Sequence, residues 1–545
     1  MKPRRVLASL LVVLAVLIGL LFGLAWIPVA QARAAWRVGR TADALAIAGR
    51  WSRIPLWGPQ WQQLVAVALL TGGNDAAAEP HLAAMRHLWP RVLGKGEVIR
   101  RLAAGTRYRE LLDYDAADRA PDLPEMLLDK AGAAAALGRL DLAGAALHAV
   151  DPARVDAHRY AAVKAAVEQR QSGAFPYVFD RSGGVLAVDR IADGAVVPAD
   201  PDFAPLVDRD AGSLTFGARA PRLGTSTVID TTLDPLVQKA ARAALGKYHG
   251  AIVAIDPRTN EILAIASSST ENLALERQYE PGSVIKILTG LDALTSGMDV
   301  DSMFPYVCSG ELDIGGRHFG DWLPQGHGTL RSIDDALAVS CNVFFGDLGE
   351  KLGRDRLERT LRSAGFDGQV DLGVFTVPLG RLIGPVDDDF ETAYLAIGLD
   401  HERINALHLA MLASMMANRG VLTTPRLLRD RRSVFGEIVE GPPVQGRTRV
   451  GSAAAAARMI IAMQAVAADP QGTGHRAPVS GIPMAIKTGT AGERKEGLQA
   501  LILAFAPVES PRIAFGIIAE DAGPAEYAGA DIAHDFLERI KSRLN

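Results

Sequence analysis

The hydrophobic pattern of the chain changes character three times. From Val6 to Ala30 there is no charged residue, and the run VLASLLVVLAVLIGLLFGLAWIPVA offers no polar face. About 20 such residues are enough to cross the hydrocarbon core of a bilayer. Lys2, Arg4 and Arg5 precede the run, which predicts an amino terminus inside and everything beyond Ala32 outside. A cleaved signal peptide is the alternative, because Ala30-Gln31-Ala32 has the small residues of a cleavage site. The run exceeds the roughly 7–15 apolar residues of a signal-peptide core, which favours a retained anchor over residues 1–32.

From 33 to 173 the pattern takes a helical period, as in ALAIAGRWSRI and MLLDKAGAAAALGRLDLAGAALHAV, and predicts an all-α domain. Gly39, Gly73, Gly105 and Gly138 stand 34, 32 and 33 residues apart, and Ala44, Ala78 and Ala143 each follow one of them by five. That period suits tetratricopeptide-like helix pairs, in which small residues let two helices approach closely. Glu110 breaks the rule in the third repeat, and an irregular helical domain remains the other reading. Trp36, Trp51, Trp57, Trp61 and Trp89 all fall in or beside these helices, and core positions are expected for them rather than a partner surface.

At about 174 the texture turns to short β-like runs broken by Gly, Pro and Asp, giving a small β-rich connector over 174–228. The stretch LDPLVQKAARAALGKY then reads as an amphipathic helix, and GAIVAIDPRTNEILAIASS as a β-hairpin turning at Asp256 to Asn260. LQALILAFAP and RIAFGIIAED supply two more strands before the terminal helix ADIAHDFLERIKSRLN. Residues 229–545 are therefore expected to form an α+β domain, one antiparallel sheet covered by helices.

Composition narrows the function. With 58 basic against 62 acidic residues the net charge is -4, with no long run of one sign, so a nucleic-acid partner is excluded. The two cysteines, Cys308 and Cys341, cannot make a disulfide framework and lack the spacing of a zinc site, so neither a metal nor a cofactor is expected.

Three short motifs carry the chemistry. Ser283-Val284-Ile285-Lys286 opens a helix-like run after Pro281-Gly282, and the i to i+3 spacing puts the Lys286 amine and the Ser283 hydroxyl on one face. A serine at a helix start also has free N–H groups and the positive dipole end beside it, which favours a nucleophile. Ser340-Cys341-Asn342 is an SxN within the helical stretch DDALAVSCNVFFGDLGEKLG. Lys487-Thr488-Gly489, followed by Thr490, closes a strand, where the glycine allows a ligand close to the strand edge. Singly each pattern is common; together, once each, in this order and within one domain, they are not chance.

In this order SxxK, SxN and KTG resemble the penicillin-recognising serine acyl-transferases, comprising penicillin-binding proteins and serine β-lactamases. FDRSGGVLA, IDTTLDPLVQKAARAAL, YEPGSVIKI, CSGELDIGGRHF, GHGTL, MMANRGVLTTP and FAPVESPRIAFGI are similar to the transpeptidase module of monofunctional, class B-like penicillin-binding proteins. The resemblance implies a D-Ala-D-Ala transpeptidase, with carboxypeptidase action if water replaces the acceptor. Ser283 would be the acylated nucleophile, Lys286 its base, and Ser340 a proton relay. Asn342 would hold Lys286 and the substrate's peptide group. Lys487, Thr488, Gly489 and Thr490 would bind the terminal carboxylate, and the N–H groups of Ser283 and Thr490 would form the oxyanion hole. Burial and the nearby Lys487 are expected to lower the pKa of Lys286. The implied partners are peptidoglycan stem peptides and β-lactam antibiotics; the apolar run with its basic flank gives the expected location, a single-pass inner-membrane protein with a periplasmic bulk, and the tetratricopeptide-like helices are expected to dock to other cell-wall or envelope proteins.

The chain departs from that pattern where it reads Ala396-Ile397-Gly398-Leu399-Asp400-His401 and, after the KTG, Gln499-Ala500-Leu501. His401 is expected to be a packed or solvated loop residue rather than a base, His327 a structural residue in a tight Gly-flanked loop, and Cys341 a buried, inert thiol pointing away from its two catalytic-type neighbours. Two other classes stay open: a serine β-lactamase or β-lactam sensor, and a catalytically degenerate scaffold working through its helices.

Overall fold

The computed structural model describes residues 228–492 and 497–544 without interruption; before them it describes 23–36 except 25, 40–51, scattered positions between 61 and 81, 95–117, 121–171, 174–190 and 195–207. Most of the apolar run from Val6 to Ala30 lies outside the described residues. Among those that are described, no helix is long and apolar enough to cross a membrane.

The amino-terminal part is helical. Lys95–Ala104 and Tyr108–Ala117 form one antiparallel pair, Pro124–Ala136 and Leu140–His148 a second, and Ala157–Gln171 follows. Gly105 and Gly138 sit in the turns of these pairs, not in the helix contacts, and Gly138 takes φ 71°. The close approach is made by alanines instead: Ala131, Ala133, Ala134, Ala135, Ala136 and Ala143 are fully buried. Trp36 and Trp61 lie in this core, while Trp57 and Trp89 fall outside the described residues.

The connector strands Ala174–Phe179, Val185–Arg190 and Ala195–Pro198 do not stand alone. They continue a six-stranded sheet through Val228–Thr231 into Leu428–Arg432 and Ile438–Glu440, so strands from far along the chain bind the connector to the larger domain. The turn between the last two strands carries Phe435, which is fully buried in the core of the helical part. There it packs edge-on to Tyr108 and under the Arg159 guanidinium. A Cβ on Gly132 would collide with the Phe435 ring, so only glycine allows the plug to seat.

The centre of the larger domain is a five-stranded antiparallel sheet, in the order Ala485–Ala491, Gln499–Ala506, Ile513–Glu520, His249–Asp256, Glu261–Ser267. Its central strands are buried at nearly every position, and their unbroken apolar runs follow because both faces are covered. Leu503 and Gly516 pair on one face, where Gly516 lies against Leu409 of helix Ala406–Ala417; Ile502, one step along, meets Gly529 in helix Ala528–Leu544 on the other. Helix Pro235–Leu245 shares that second face; Asp234 caps it by accepting from the Leu236 and Val237 N–H groups. The strand Ala485–Ala491, which bears the KTG, is left as a sheet edge.

Candidate active site

The three motifs meet at that edge. Ser283 lies in a 3-10 turn, Gly282–Val284, that leads into helix Lys286–Ser296. Gly282 takes φ +56°, and its N–H donates to the Gly398 carbonyl at 2.8 Å. The KTG strand runs directly behind this turn: a Cβ on Gly489 would come 2.7 Å from the Pro281 oxygen and 3.0 Å from Val284 Cγ1. Glycine in the motif is thus required by the backbone of the nucleophile turn.

The SxN is not inside one helix, as the sequence pattern suggested. Helix Ile333–Ala338 ends, Ser340 takes φ 56°, and a new helix runs from Asn342 to Leu352. The left-handed residue turns Ser340 out of helical register and lets Cys341 act as the N-cap, its sulfur accepting from the Phe344 N–H. Asp321 completes the cap. Its Oδ2 accepts from the Asn342 N–H at 2.9 Å and the Val343 N–H at 3.3 Å, so the first turn of the helix carrying Asn342 rests on one carboxylate.

Lys286 Nζ lies 2.6 Å from Asn342 Oδ1, 2.7 Å from the Ser340 carbonyl and 3.3 Å from Ser340 Oγ. Lys487 Nζ reaches the same hydroxyl at 2.9 Å and donates to the Thr488 carbonyl. Both amines are fully buried. Burial pulls Lys286 down to about 8, against the opposing pull of Asp321. Burial also puts Lys487 well below the ordinary lysine value, and there the charge of Lys286 adds to it. The expected effect of Lys487 on Lys286 therefore falls chiefly the other way. Two amines sharing one hydroxyl in a dry site cannot both hold a proton cheaply, so a neutral amine is built into the site.

Ser283 Oγ makes no hydrogen bond among the described residues, and its side chain is half-buried. Thr488 Oγ1 donates to Thr473 Oγ1 at 2.6 Å, and Thr490 Oγ1 accepts from the Ala525 N–H at 3.0 Å. All eight residues expected at the site, Ser283, Lys286, Ser340, Asn342, Lys487, Thr488, Gly489 and Thr490, thus fall on three adjoining segments.

These segments match known proteins. Residues 250–541, more than half of the chain, match the model of the penicillin binding protein transpeptidase domain. The chain belongs to this family. It is 28% identical over 353 residues to the peptidoglycan D,D-transpeptidase PbpA of Mycolicibacterium smegmatis, covering 56% of this chain and 70% of that one. To the peptidoglycan D,D-transpeptidase MrdA of Acinetobacter baumannii it is 29% identical over 358 residues, covering 56% and 52%. The D,D-transpeptidase domain from Eggerthella lenta superposes with a TM-score of 0.59 at 25% identity, over 68% of this chain and 99% of that one. Penicillin-binding protein A of Mycobacterium tuberculosis, solved as a ceftriaxone acyl-enzyme, shares the fold with a TM-score of 0.60 at 22% identity, over 68% and 98%.

In this penicillin-binding protein His401, in the loop that departs from the family pattern, is buried. His401 Nε2 pairs with Glu391 Oε2 at 2.6 Å and Nδ1 faces the Ile383 carbonyl, a packed loop residue as expected. The same loop props the nucleophile, because Gly398 with φ 81° packs against Gly282 so closely that a Cβ would collide with the Gly282 oxygen.

Sequence reasoning missed Asp321 and Thr473. Neither belongs to a motif; Asp321 follows strand Arg317–Gly320, and Thr473 sits in Gly472-Thr473-Gly474, a small-residue loop that brings it beneath the KTG. Also missed was a convergence around Asp321 of Cys308, His327 and Cys341, whose ligand atoms all lie within 4.8 Å of one another. They stand 13, 6 and 14 positions apart on separate elements, a spacing that no short metal motif covers.

Proposed function

We propose that this penicillin-binding protein is a serine D,D-transpeptidase that cross-links peptidoglycan stem peptides through an acyl-enzyme on Ser283 and is inactivated by β-lactams. The reading rests on one observation above all: Ser340 Oγ stands between two buried amines, Lys286 and Lys487, at 3.3 and 2.9 Å.

In this mechanism Ser283 Oγ attacks the carbonyl of the penultimate D-alanine while neutral Lys286 takes its proton. The oxyanion is received by the N–H groups of Ser283 and Thr490, a type of interaction worth roughly 3–4 kcal/mol per donor. Ser340 passes a proton to the leaving amine, the C–N bond breaks, and D-alanine departs, leaving an ester on Ser283. The amine of a second stem peptide attacks that ester, gives its proton back through the same relay, and frees Ser283. Lys487, Thr488, Gly489 and Thr490 form the edge that holds the donor's terminal carboxylate, whose arrival raises the proton affinity of Lys487. Asn342, tied to Lys286, aligns the amine and the peptide group of the substrate.

The anchor at residues 1–32 would hold the enzyme at its polymer, at the inner membrane with a periplasmic bulk. The paired helices, which are similar to tetratricopeptide repeats in their 33-residue turn spacing, would carry envelope partners. The activity is tested by supplying the full chain with a stem pentapeptide donor and an amine acceptor, and measuring released D-alanine and cross-linked product. Release and cross-linking that vanish in Ser283→Ala support the mechanism; cross-linking that survives the substitution contradicts it.

A further inference from the structure

The hydroxyl of Thr488 has a partner that the acyl-transfer steps do not use. Thr473 follows helix Ala453–Ala468 and is only 9% exposed beneath the strand that bears the KTG. Its loop is pressed against that strand: the Gly474 N–H donates to the Val466 carbonyl at 3.0 Å, and a Cβ on Gly474 would come 2.9 Å from Ile486 Cγ2. The Thr473 N–H donates to the Ala338 carbonyl at 3.0 Å. Thr473 is thereby fixed to the end of helix Ile333–Ala338, two positions before Ser340.

A hydroxyl has one hydrogen to give and two lone pairs that receive, so the direction of each bond decides what Thr488 can offer. Thr488 Oγ1 donates to Thr473 Oγ1 at 2.6 Å, and Thr473 Oγ1 donates to the Ala338 carbonyl at 3.4 Å. Both hydrogens are spent inside the protein. Thr488 Oγ1 has no other hydrogen-bond partner among the described residues, which leaves it only lone pairs for a ligand at the strand edge. A carboxylate accepts hydrogen bonds and donates none, so lone pairs repel it. Thr490 is set the opposite way, because its Oγ1 accepts from the Ala525 N–H at 3.0 Å and keeps its own hydrogen for a ligand.

We propose, on the reading that Thr488 and Thr490 hold the substrate's terminal carboxylate, that Thr473 is the positioning residue that turns Thr488 into a donor for it. When the carboxylate arrives, Thr473 swings its hydrogen from Ala338 to Thr488, and Thr488 swings its own to the carboxylate. Each hydrogen stays on its oxygen, and only two hydroxyl rotations are needed. The exchange gives up the long 3.4 Å bond alone, and Ala338 is not stranded, since it keeps the Thr473 N–H at 3.0 Å. In return a charge-assisted bond forms, and the short bond from Thr473 polarises Thr488 as a donor. A neutral ester in the same place offers no such charge, so the contribution of Thr473 is selective for the acid.

The test follows acylation of Ser283 in the full chain by benzylpenicillin and by its methyl ester, each against concentration, which separates apparent binding from the limiting rate. Thr473→Val keeps the shape and the Ala338 contact but loses the hydroxyl. It is expected to weaken apparent binding of the acid roughly tenfold, to leave the limiting rate unchanged, and to leave the ester unaffected. Thr473→Ser should restore the wild-type preference for the acid. If Thr473→Val does not fold, the acid-to-ester ratio of Thr473→Ala decides. Equal losses for acid and ester, an unchanged ratio, or no rescue by serine would overturn the proposal. Thr488→Val separates that failure from failure of the underlying reading. A ratio lowered by Thr488→Val but not by Thr473→Val sinks the role of Thr473 alone, whereas a ratio that Thr488→Val leaves untouched sinks the assignment of the carboxylate to Thr488.

Discussion

Lys487 Nζ donates to Ser340 Oγ at 2.9 Å, and so a lysine on the sheet edge is joined to a serine in the break between two helices. That bond ties the strand meant for the substrate's carboxylate to the hydroxyl meant for its leaving group. Ser340→Ala removes the one group both amines share. Acylation of Ser283 by a β-lactam is expected to slow by about 10²–10⁴-fold, the usual weight of a positioned proton-transfer group, with the fold intact by circular dichroism. Acylation at the wild-type rate would remove Ser340 from the mechanism.

The Lys286 amine, brought to about 8 by burial, must be neutral to take the Ser283 proton. The acylation rate should therefore rise with pH and level off above about 8. The sign for stability is the same: between about 8 and the ordinary lysine value of 10.5 the unfolded chain binds more protons than the folded one, so this group's penalty shrinks as pH rises. A rate constant flat from about pH 6 to pH 9 would contradict Lys286 as the base.

Gly398→Ala tests the prop behind the nucleophile. The position combines φ 81° with a Cβ that would collide with the Gly282 oxygen, so the nucleophile turn must shift. A displacement on the order of 1 Å at a reacting group costs roughly 10²-fold in rate. The expected outcome is a folded protein with acylation slowed by about that factor, and an unimpaired rate would show that the turn does not depend on this contact.

Asp321→Ala strips the carboxylate from the first turn of the Asn342 helix. Loss of two charge-assisted hydrogen bonds at a helix start is expected to cost roughly 2–4 kcal/mol, read as a lower denaturant midpoint, and to slow acylation by loosening Asn342.

Phe435→Ala empties the socket between Tyr108 and Arg159. Truncating a buried phenylalanine costs about 3–5 kcal/mol, which here falls on the docking of the helical part. Limited proteolysis should then cut between residues 171 and 228 faster, while Ser283 still acylates.

Much of this molecule was legible in the sequence, for physical reasons that also explain the rest. The motifs were readable because each is short and local: Ser283 and Lys286 lie within one turn, and Lys487 to Thr490 within one strand. The sheet was readable because strands such as Gln499–Ala506, buried on both faces, are apolar throughout. The break at Ser340 was not, because DDALAVSCNVFFGDLGEKLG has an unbroken helical pattern and the left-handed residue is set by tertiary contacts at the site. Asp321, Thr473 and Phe435 act across long separations in sequence, where no period or spacing signals a contact. Gly105 and Gly138 served chain reversal, while alanines made the helix contacts, and Gly39 and Gly73 lie outside the described residues.

The central claim is a stable covalent intermediate on Ser283, and it is tested most directly by following a fluorescent penicillin on the full chain through time. A protein band that labels and holds its label, and that disappears in Ser283→Ala, is the result expected of a penicillin-binding transpeptidase. Label gained and quickly lost would mark a β-lactamase, and a chain that never labels would mark a scaffold; either would contradict the mechanism.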